Sequence, residues 1–204
     1  MLHSHLIEAV QSSQEQQSTS LVLIGGCSRS GKSYLAGLLK KLLEESGIKT
    51  IIVELDAWLV SKDKRRPDSN VLERYEIDGI INSVIDLLNG NPVYPPVYDV
   101  VKRTRIKEKQ DSPVQIKNGV IILDGVVALT IPEFLNRASF RIFLDIPDTL
   151  RRERMAEFYL DNKNVSENEF HAIMNERERE EVPFIKSSRC NADVVFAHSR
   201  DEGE

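Results

Sequence analysis

Nine consecutive residues, GGCSRSGKS from Gly25 to Ser33, combine glycines, hydroxyls and two cations in an order suited to holding phosphate. Within them Gly26-x4-Gly31-Lys32-Ser33 satisfies the phosphate-binding loop (P-loop) pattern. Glycines let the backbone turn tightly, so that the N–H groups of the loop (Gly26, Cys27, Ser28, Arg29, Ser30, Gly31) point at phosphate oxygens, and the following helix N-terminus adds its partial positive charge. Lys32 is placed to reach the terminal phosphates and the Ser33 hydroxyl to ligate Mg²⁺. An ordinary Gly/Ser turn is the plain alternative, and a strand before and a helix after argue against it. At Cys27, a thiol beside a helix N-terminus can gain thiolate character, or it is simply a small residue tolerated in the turn.

Two carboxylates stand where a phosphate site would use them. Asp124 ends the apolar run VIILD, the arrangement that brings an acid beside the loop to join a Mg²⁺ shell; a turn-forming Asp-Gly is the alternative. Asp56 closes TIIVELD and is expected at the C-terminal edge of a parallel sheet, where such folds bind ligands. Further cations follow. Arg151 and Arg154 are spaced i, i+3 on a helical pattern and share a face, so both guanidiniums are expected to close over phosphates; a salt-bridged surface helix is the alternative. KRTRIKEK (102–109) holds five bases and one acid. It is either the solvated face of a hairpin or, for an acceptor carrying its own phosphate or carboxylate, a site that uses Arg103 and Arg105.

These residues need elements to position them, and the pattern from Leu21 supplies them. Short apolar runs (LVLIG, TIIVELD, GVIILDG, FRIFLDI, ADVVF) alternate with helical patterns over 34–47, 77–90, 148–160 and 166–181. Gly47 and Gly90 sit where helix ends need a left-handed residue. Continuous apolar runs bounded by turns suit strands covered on both faces, and strands alternating with helices imply an α/β domain with a mainly parallel sheet. Residues 1–19 are expected as an N-terminal helix or tail, and 20–204 as a single domain with a lid at about 148–165. Tyr98 and Asp99 follow Pro95 and Pro96, so that stretch is extended or turning.

The 204 residues carry 27 Lys and Arg against 32 Asp and Glu, a formal net charge of −5. That length suits one self-sufficient core. Cys27 and Cys190, far apart, suggest neither a disulfide framework nor a zinc site, and His3, His5, His171 and His198 are scattered. The opening lacks a signal-peptide pattern and no apolar stretch nears the ~18 residues of a membrane span, so a cytoplasmic chain without a membrane partner is expected. The acidic balance argues against nucleic acid as a partner and says nothing against a phosphate ligand held by local cations. Asn162-Lys163-Asn164-Val165 lacks the Asp of a guanine-reading NKxD motif, and the length leaves little room for the auxiliary domains of motor or AAA-type ATPases.

In this order the motifs GGCSRSGKS, ELDAW (54–58), LLNGNPVYPPVYDVVKRTR (87–105), VIILDGVVAL (120–129), FRIFLDIPDTLRRER (140–154) and EVPFIKSSRCNADVVF (181–196) resemble the uridine kinase and phosphoribulokinase family of P-loop kinases, over roughly residues 20–197. The resemblance implies an α/β three-layer P-loop fold of the nucleoside-kinase type with a helical lid. ATP and Mg²⁺ are the implied cofactors and a nucleoside such as uridine or cytidine the implied acceptor; a homo-oligomer is left open. It implies that Asp56 faces the acceptor hydroxyl, with Trp58, Tyr98, Asp99, Arg103 and Arg105 around the acceptor. It also implies that Lys32, Arg151 and Arg154 stabilise the transferring phosphoryl group and that Asp193 lies near the adenine. The chain departs from the family in four places. Asp124-Gly125 stands for the usual Glu-Gly, Arg103 for a base-reading His and Val100 for a Phe. Glu157-Phe158-Tyr159 replaces the lid's further Arg-Asp pair. A different acceptor, such as a sugar phosphate or vitamin precursor, or a nucleotide-binding protein without transfer activity, are the alternatives these departures favour.

Overall fold

The computed structural model describes residues 19–66, 68–100, 102–106, 112–161 and 165–197. The expected N-terminal helix or tail, save its last residue, residues 107–109 of the basic stretch and residues 162–164 of the expected lid lie outside them. Five strands form one all-parallel sheet: β1 (Ser20–Gly26), β2 (Thr50–Glu54), β5 (Val120–Asp124), β6 (Phe140–Asp145) and β7 (Val194–Ala197), in the order β2-β5-β1-β6-β7. A separate antiparallel ribbon pairs β3 (Val97–Asp99) with β4 (Thr104–Ile106), so residues 102–106 do form a hairpin arm. The helices are α1 (Lys32–Glu45), α2 (Ile77–Leu88), α3 (Pro132–Leu135), α4 (Asp148–Ala156), α5 (Glu167–Glu176) and α6 (Val182–Ser187).

Strand side chains alternate between faces, and here each face meets its own helical layer. Leu21, Leu23, Ile121 and Leu123 pack with Ile80, Val84 and Leu87 of α2 and Val182 and Ile185 of α6. Val22, Ile24, Val120 and Ile122 pack with Ala36, Leu39 and Leu43 of α1. Because both faces are covered, the strands are apolar throughout rather than alternating. The result is the expected three-layer α/β architecture with a mainly parallel sheet. Helix α1 ends as Gly47 implied. At φ +80° this residue takes the left-handed position of a Schellman motif, with Ile48 N–H donating to Leu43 O (2.9 Å) and Gly47 N–H to Glu44 O (3.0 Å).

Beyond β6 the chain builds a helical segment with a small core of its own, Met155, Phe170 and Met174, flanked by Tyr159, Leu160 and Val165. Its sequence looked like plain charged helix. The structure instead shows two π-helical turns, Glu157–Asp161 after α4 and Arg177–Glu181 between α5 and α6. Such widened turns re-aim side chains and recur at functional sites. Ser166 caps α5 in a capping box with Glu169.

Candidate active site

The P-loop closes β1. Gly26 has φ +139°, and a Cβ on it would lie 2.5 Å from the Leu144 carbonyl oxygen of β6, so glycine is required there. Arg29 also takes positive φ (+64°), and Ser30 N–H donates to Cys27 O at 3.1 Å, which completes the tight turn into α1. Lys32 is buried and its Nζ donates to Cys27 O at 3.0 Å, so the ammonium rests on its own loop. The Cys27 thiol is also buried, and burial pushes its pKa up to about 11. It is therefore the neutral small residue and not a thiolate; Arg151 and Lys32 nearby oppose the shift without cancelling it.

Ser33 Oγ donates to Asp124 Oδ2 at 2.5 Å. In register Asp124 stands beside Ile24 of β1 and Glu54 of β2, so strand pairing alone puts the acid next to the loop. Burial raises the Asp124 pKa, against the Ser33 hydrogen bond and the Lys32 charge. Glu54 is raised by burial and by Asp124 and Asp56. Carboxylates that repel one another in a half-buried edge favour a cation between them. Among the described residues no three His, Cys, Asp or Glu side chains gather closely enough to hold an ion alone. Ser33 and Asp124 offer a hydroxyl and a carboxylate, the kind of partial shell that Mg²⁺ completes with substrate phosphates and waters.

Asp56 is not the last strand residue: β2 stops at Glu54, and Asp56 lies on the 3₁₀ turn Leu55–Trp58. That turn lifts its carboxylate out of the sheet edge, where Tyr75 Oη donates to Oδ1 at 3.0 Å. Burial and the Asp56 charge hold the Tyr75 phenol well above its ordinary pKa, so it stays a donor.

A cleft of about 680 Å³ runs over the loop, with Lys32, Ser33, Asp124, Asp56, Arg29 and Arg154 in its wall. A smaller cavity of about 110 Å³ adjoins it, and both share Asp56, Val100, Tyr159 and Arg177. The π-helical turn at 157–161 closes one side. The Arg29 guanidinium sits 3.4 Å from the Phe158 ring centroid, a cation–π contact, and Arg177 donates to Tyr159 Oη at 3.3 Å. Arg177 also donates to Ser28 Oγ (2.6 Å) and to Glu181 (2.8 Å), while Ser28 Oγ donates to Glu181 at 2.8 Å. The P-loop is thereby tied to the second widened turn.

Several expected site residues lie elsewhere. Arg151 is buried and ion-paired with Glu178, with Asp148 at 3.4 Å, whereas Arg154 reaches the Arg29 and Ser30 carbonyls at 3.4 Å. Spacing of i, i+3 gives two residues a common side but not a common depth, so of the expected pair only Arg154 reaches the loop. Asp193, expected near the adenine, bonds Arg141 (2.6 Å) where β6 and β7 begin, at the end of the sheet away from the P-loop. Trp58 is buried in the core against Gly79 of α2 and does not line the cavities. Arg105 is taken up by Glu76 at 2.5 Å and the Leu59 carbonyl at 3.3 Å. Asp99 accepts from Lys102 N–H at 2.9 Å. Tyr98 and Arg103 do line the smaller cavity. Sequence reasoning passed over Arg65, Tyr75 and Arg177. Arg65 and Arg177 lie in charge runs (KDKRR, REREE), whose composition alone does not set them apart from solvated surface.

A strand, a glycine-bearing loop and a helix, with a buried lysine and a Ser–Asp pair at the strand ends, define a P-loop phosphotransferase. The chain belongs to the P-loop family described as AAA domain, whose model matches residues 22–175. The AAA name is one that chain length argued against, and the match is to the P-loop core. Curated relatives are kinases. A protein named uridine kinase from Shewanella piezotolerans is 26% identical over 185 residues, covering 86% of this chain and 85% of that one. Another named uridine kinase, from Escherichia coli, is 28% identical over 193 residues, covering 88% of each. Among solved structures, a protein described as a fructose transport system kinase from Silicibacter sp. TM1040 superposes with a TM-score of 0.77 at 19% identity, covering 96% of this chain and 97% of its own. A D-glycerate 3-kinase from Cryptococcus neoformans superposes with a TM-score of 0.63 at 14% identity, covering 92% and 89%.

Proposed function

We propose that this chain is an ATP- and Mg²⁺-dependent kinase that moves the γ-phosphate onto a hydroxyl of a small molecule held at Asp56. The observation that carries this reading is the meeting of two carboxylate sites on one cleft: Asp124 with Ser33 on the loop side, and Asp56 with Tyr75 where the two cavities join. The loop N–H groups hold the triphosphate, and Lys32 exchanges the Cys27 carbonyl for a phosphate oxygen. Ser33 and Asp124 are the residues that would hold Mg²⁺, which would supply charge neutralisation at the transferring group. Asp56 accepts or orients the proton of the attacking hydroxyl, with Tyr75 holding the carboxylate in place. Arg154 and Arg29, from the lid at about 148–165 and from the loop, stabilise the charge that spreads over the phosphoryl oxygens.

Uridine is the acceptor that the relatives' name suggests, and cytidine is the further nucleoside that the sequence resemblance implies. A non-nucleoside acceptor is the second reading, favoured by Arg103 in the wall of the smaller cavity and by that cavity's size. The test is ADP release with Mg-ATP and a panel of nucleosides, sugar phosphates and pantothenate-like compounds. Acceptor-stimulated turnover lost in Asp56→Asn supports the reading. ATP binding that no acceptor converts into turnover would sink it.

A further inference from the structure

The smaller cavity is lined by Asp56 and by four arginines, Arg65, Arg74, Arg103 and Arg177, whose partners differ. Arg74 is neutralised by Glu180 (2.5 Å) and Glu176 (3.3 Å), and Arg177 by Glu181 (2.8 Å). Arg65 and Arg103 have no carboxylate partner among the described residues. Arg65 is held in orientation by neutral acceptors alone: its Nε donates to Val60 O at 2.8 Å and its Nη2 to Tyr98 Oη at 3.0 Å. Arg103 stands at φ +53°, a left-handed position unfavourable for a side-chain-bearing residue, and its carbonyl accepts from Lys62 N–H at 2.9 Å. That bond ties the hairpin arm to the loop that carries Arg65.

Two half-buried guanidiniums near one phenol and without a counter-ion make an electropositive end. Burial lowers the pKa of Arg65, the neighbouring Arg103 charge lowers it further, and the Tyr98 phenol feels both cations. The cavity is small, about 110 Å³, and opens at Asp56 onto the larger cleft over the loop, so it can seat the acidic group of an acceptor whose remainder extends towards Asp56.

From this geometry we infer that the acceptor is a small acid, its carboxylate or phosphate held by Arg65 and Arg103 and its hydroxyl at Asp56. This rests on the reading of Asp56 as the hydroxyl site and specifies its substrate class. Transfer then forms a bond from the acceptor oxygen to the γ-phosphorus and breaks the bond to the β–γ bridging oxygen, which leaves on ADP; the hydroxyl proton goes to Asp56. The acidic group of the acceptor takes no part in the transfer and fixes which hydroxyl is presented.

Matched pairs test it: glycerate with glycerol, ribose 5-phosphate with ribose, and uridine as a neutral nucleoside. ADP release is followed with Mg-ATP, and binding of each acid is measured by calorimetry with Mg-ADP present. An acidic member turned over without its neutral partner is the expected result, and which pair responds separates carboxylate from phosphate. In Arg103→Ala, KM for the acid should rise about 10–100-fold, the loss expected for a charged hydrogen bond, with kcat within about threefold. Arg65→Lys, which keeps the charge while losing the fork, should raise KM less. Turnover of uridine or a neutral sugar with a KM indifferent to Arg103→Ala overturns the inference and leaves the kinase reading standing. Binding of an acid that Arg103→Ala weakens, without turnover, supports the anion site while the kinase reading fails. No binding and no turnover of any acid overturns the inference.

Discussion

Truncating Arg151 and Arg154 separately distinguishes the two roles the structure gives them. Arg151 is 1% exposed, between Glu178 and Asp148. Arg151→Ala removes a buried stem and leaves a cavity, which alone costs about 2–5 kcal/mol for large side chains. Breaking a buried ion pair costs about 3–5 kcal/mol when a charge is left alone. Here neither acid is left alone, because Glu178 keeps Arg152 at 3.2 Å and Asp148 keeps Lys186 at 2.9 Å. The expected loss is therefore near the low end, about 3 kcal/mol, which for a chain of this size lowers the melting temperature by roughly 6–12 °C. Well below that temperature kcat should stay within about threefold of the parent, since Arg151 does not line the cleft. Arg154→Ala should behave in the opposite way. Its contacts to the Arg29 and Ser30 carbonyls are long, at 3.4 Å, so stability changes by under about 0.5 kcal/mol while kcat falls by about 10³. Thermal unfolding by circular dichroism and ADP release at 20 °C read the two effects. An Arg151→Ala protein that melts with the parent yet loses about 10³ in kcat would refute the reading of Arg151 as a buried structural partner of Glu178.

Two more predictions concern buried groups. The Asp124 pKa is raised by burial, so its folded form holds a proton more tightly than its unfolded form. Its contribution to stability is present below the ordinary value of 3.8 and is lost as pH rises through the raised folded value. Asp124→Asn should therefore gain on the parent in urea midpoint as pH rises from about 4 to 7 without metal, and Mg²⁺ should stabilise the parent more than the variant; equal pH slopes would sink the argument. For the thiols, iodoacetamide at neutral pH should modify the exposed Cys190 and spare Cys27, whose pKa stands at about 11. One alkylation per folded chain and two after unfolding, counted by mass spectrometry, is the expected result; rapid labelling of Cys27 in folded Cys190→Ser protein would contradict it.

Local signals carried far in this chain. The apolar runs became the five parallel strands, Gly47 became a left-handed helix stop, and Ser33 and Asp124 meet because strand register places the end of β5 beside the loop. What spacing could not convey was depth and turn width. Arg151 and Arg154 share a helix side, yet one is anchored to Glu178 beneath while the other reaches the loop. REREE has the composition of a solvated helix, but a π-helical turn aims Arg177 at Ser28. Asp193 depended on which edge of the sheet β7 starts from, which only the pairing of Asp193 with Arg141 reveals. Arg105, expected at the acceptor, is claimed by Glu76, distant in sequence, while Arg65, to which the sequence assigned no role, lines the cavity.

The strand order bears on the chain's birth as well as on its site. The pairing of β1 with β5 joins Ser20 to Val120, and that of β2 with β5 joins Thr50 to Val120. β2 thus waits for one late strand, and β1 for that strand and then β6, the first of its two neighbours coming a hundred positions after it begins. At synthesis rates of about 5–20 residues per second, Leu21–Ile24 spends about 5–20 s on the ribosome with its eventual sheet neighbour unmade. Wholly apolar and without a hydrogen-bonding partner, that strand is the segment of the nascent chain most in need of shelter. The residues that later anchor the phosphate loop are the ones for which a chaperone has the longest time to compete.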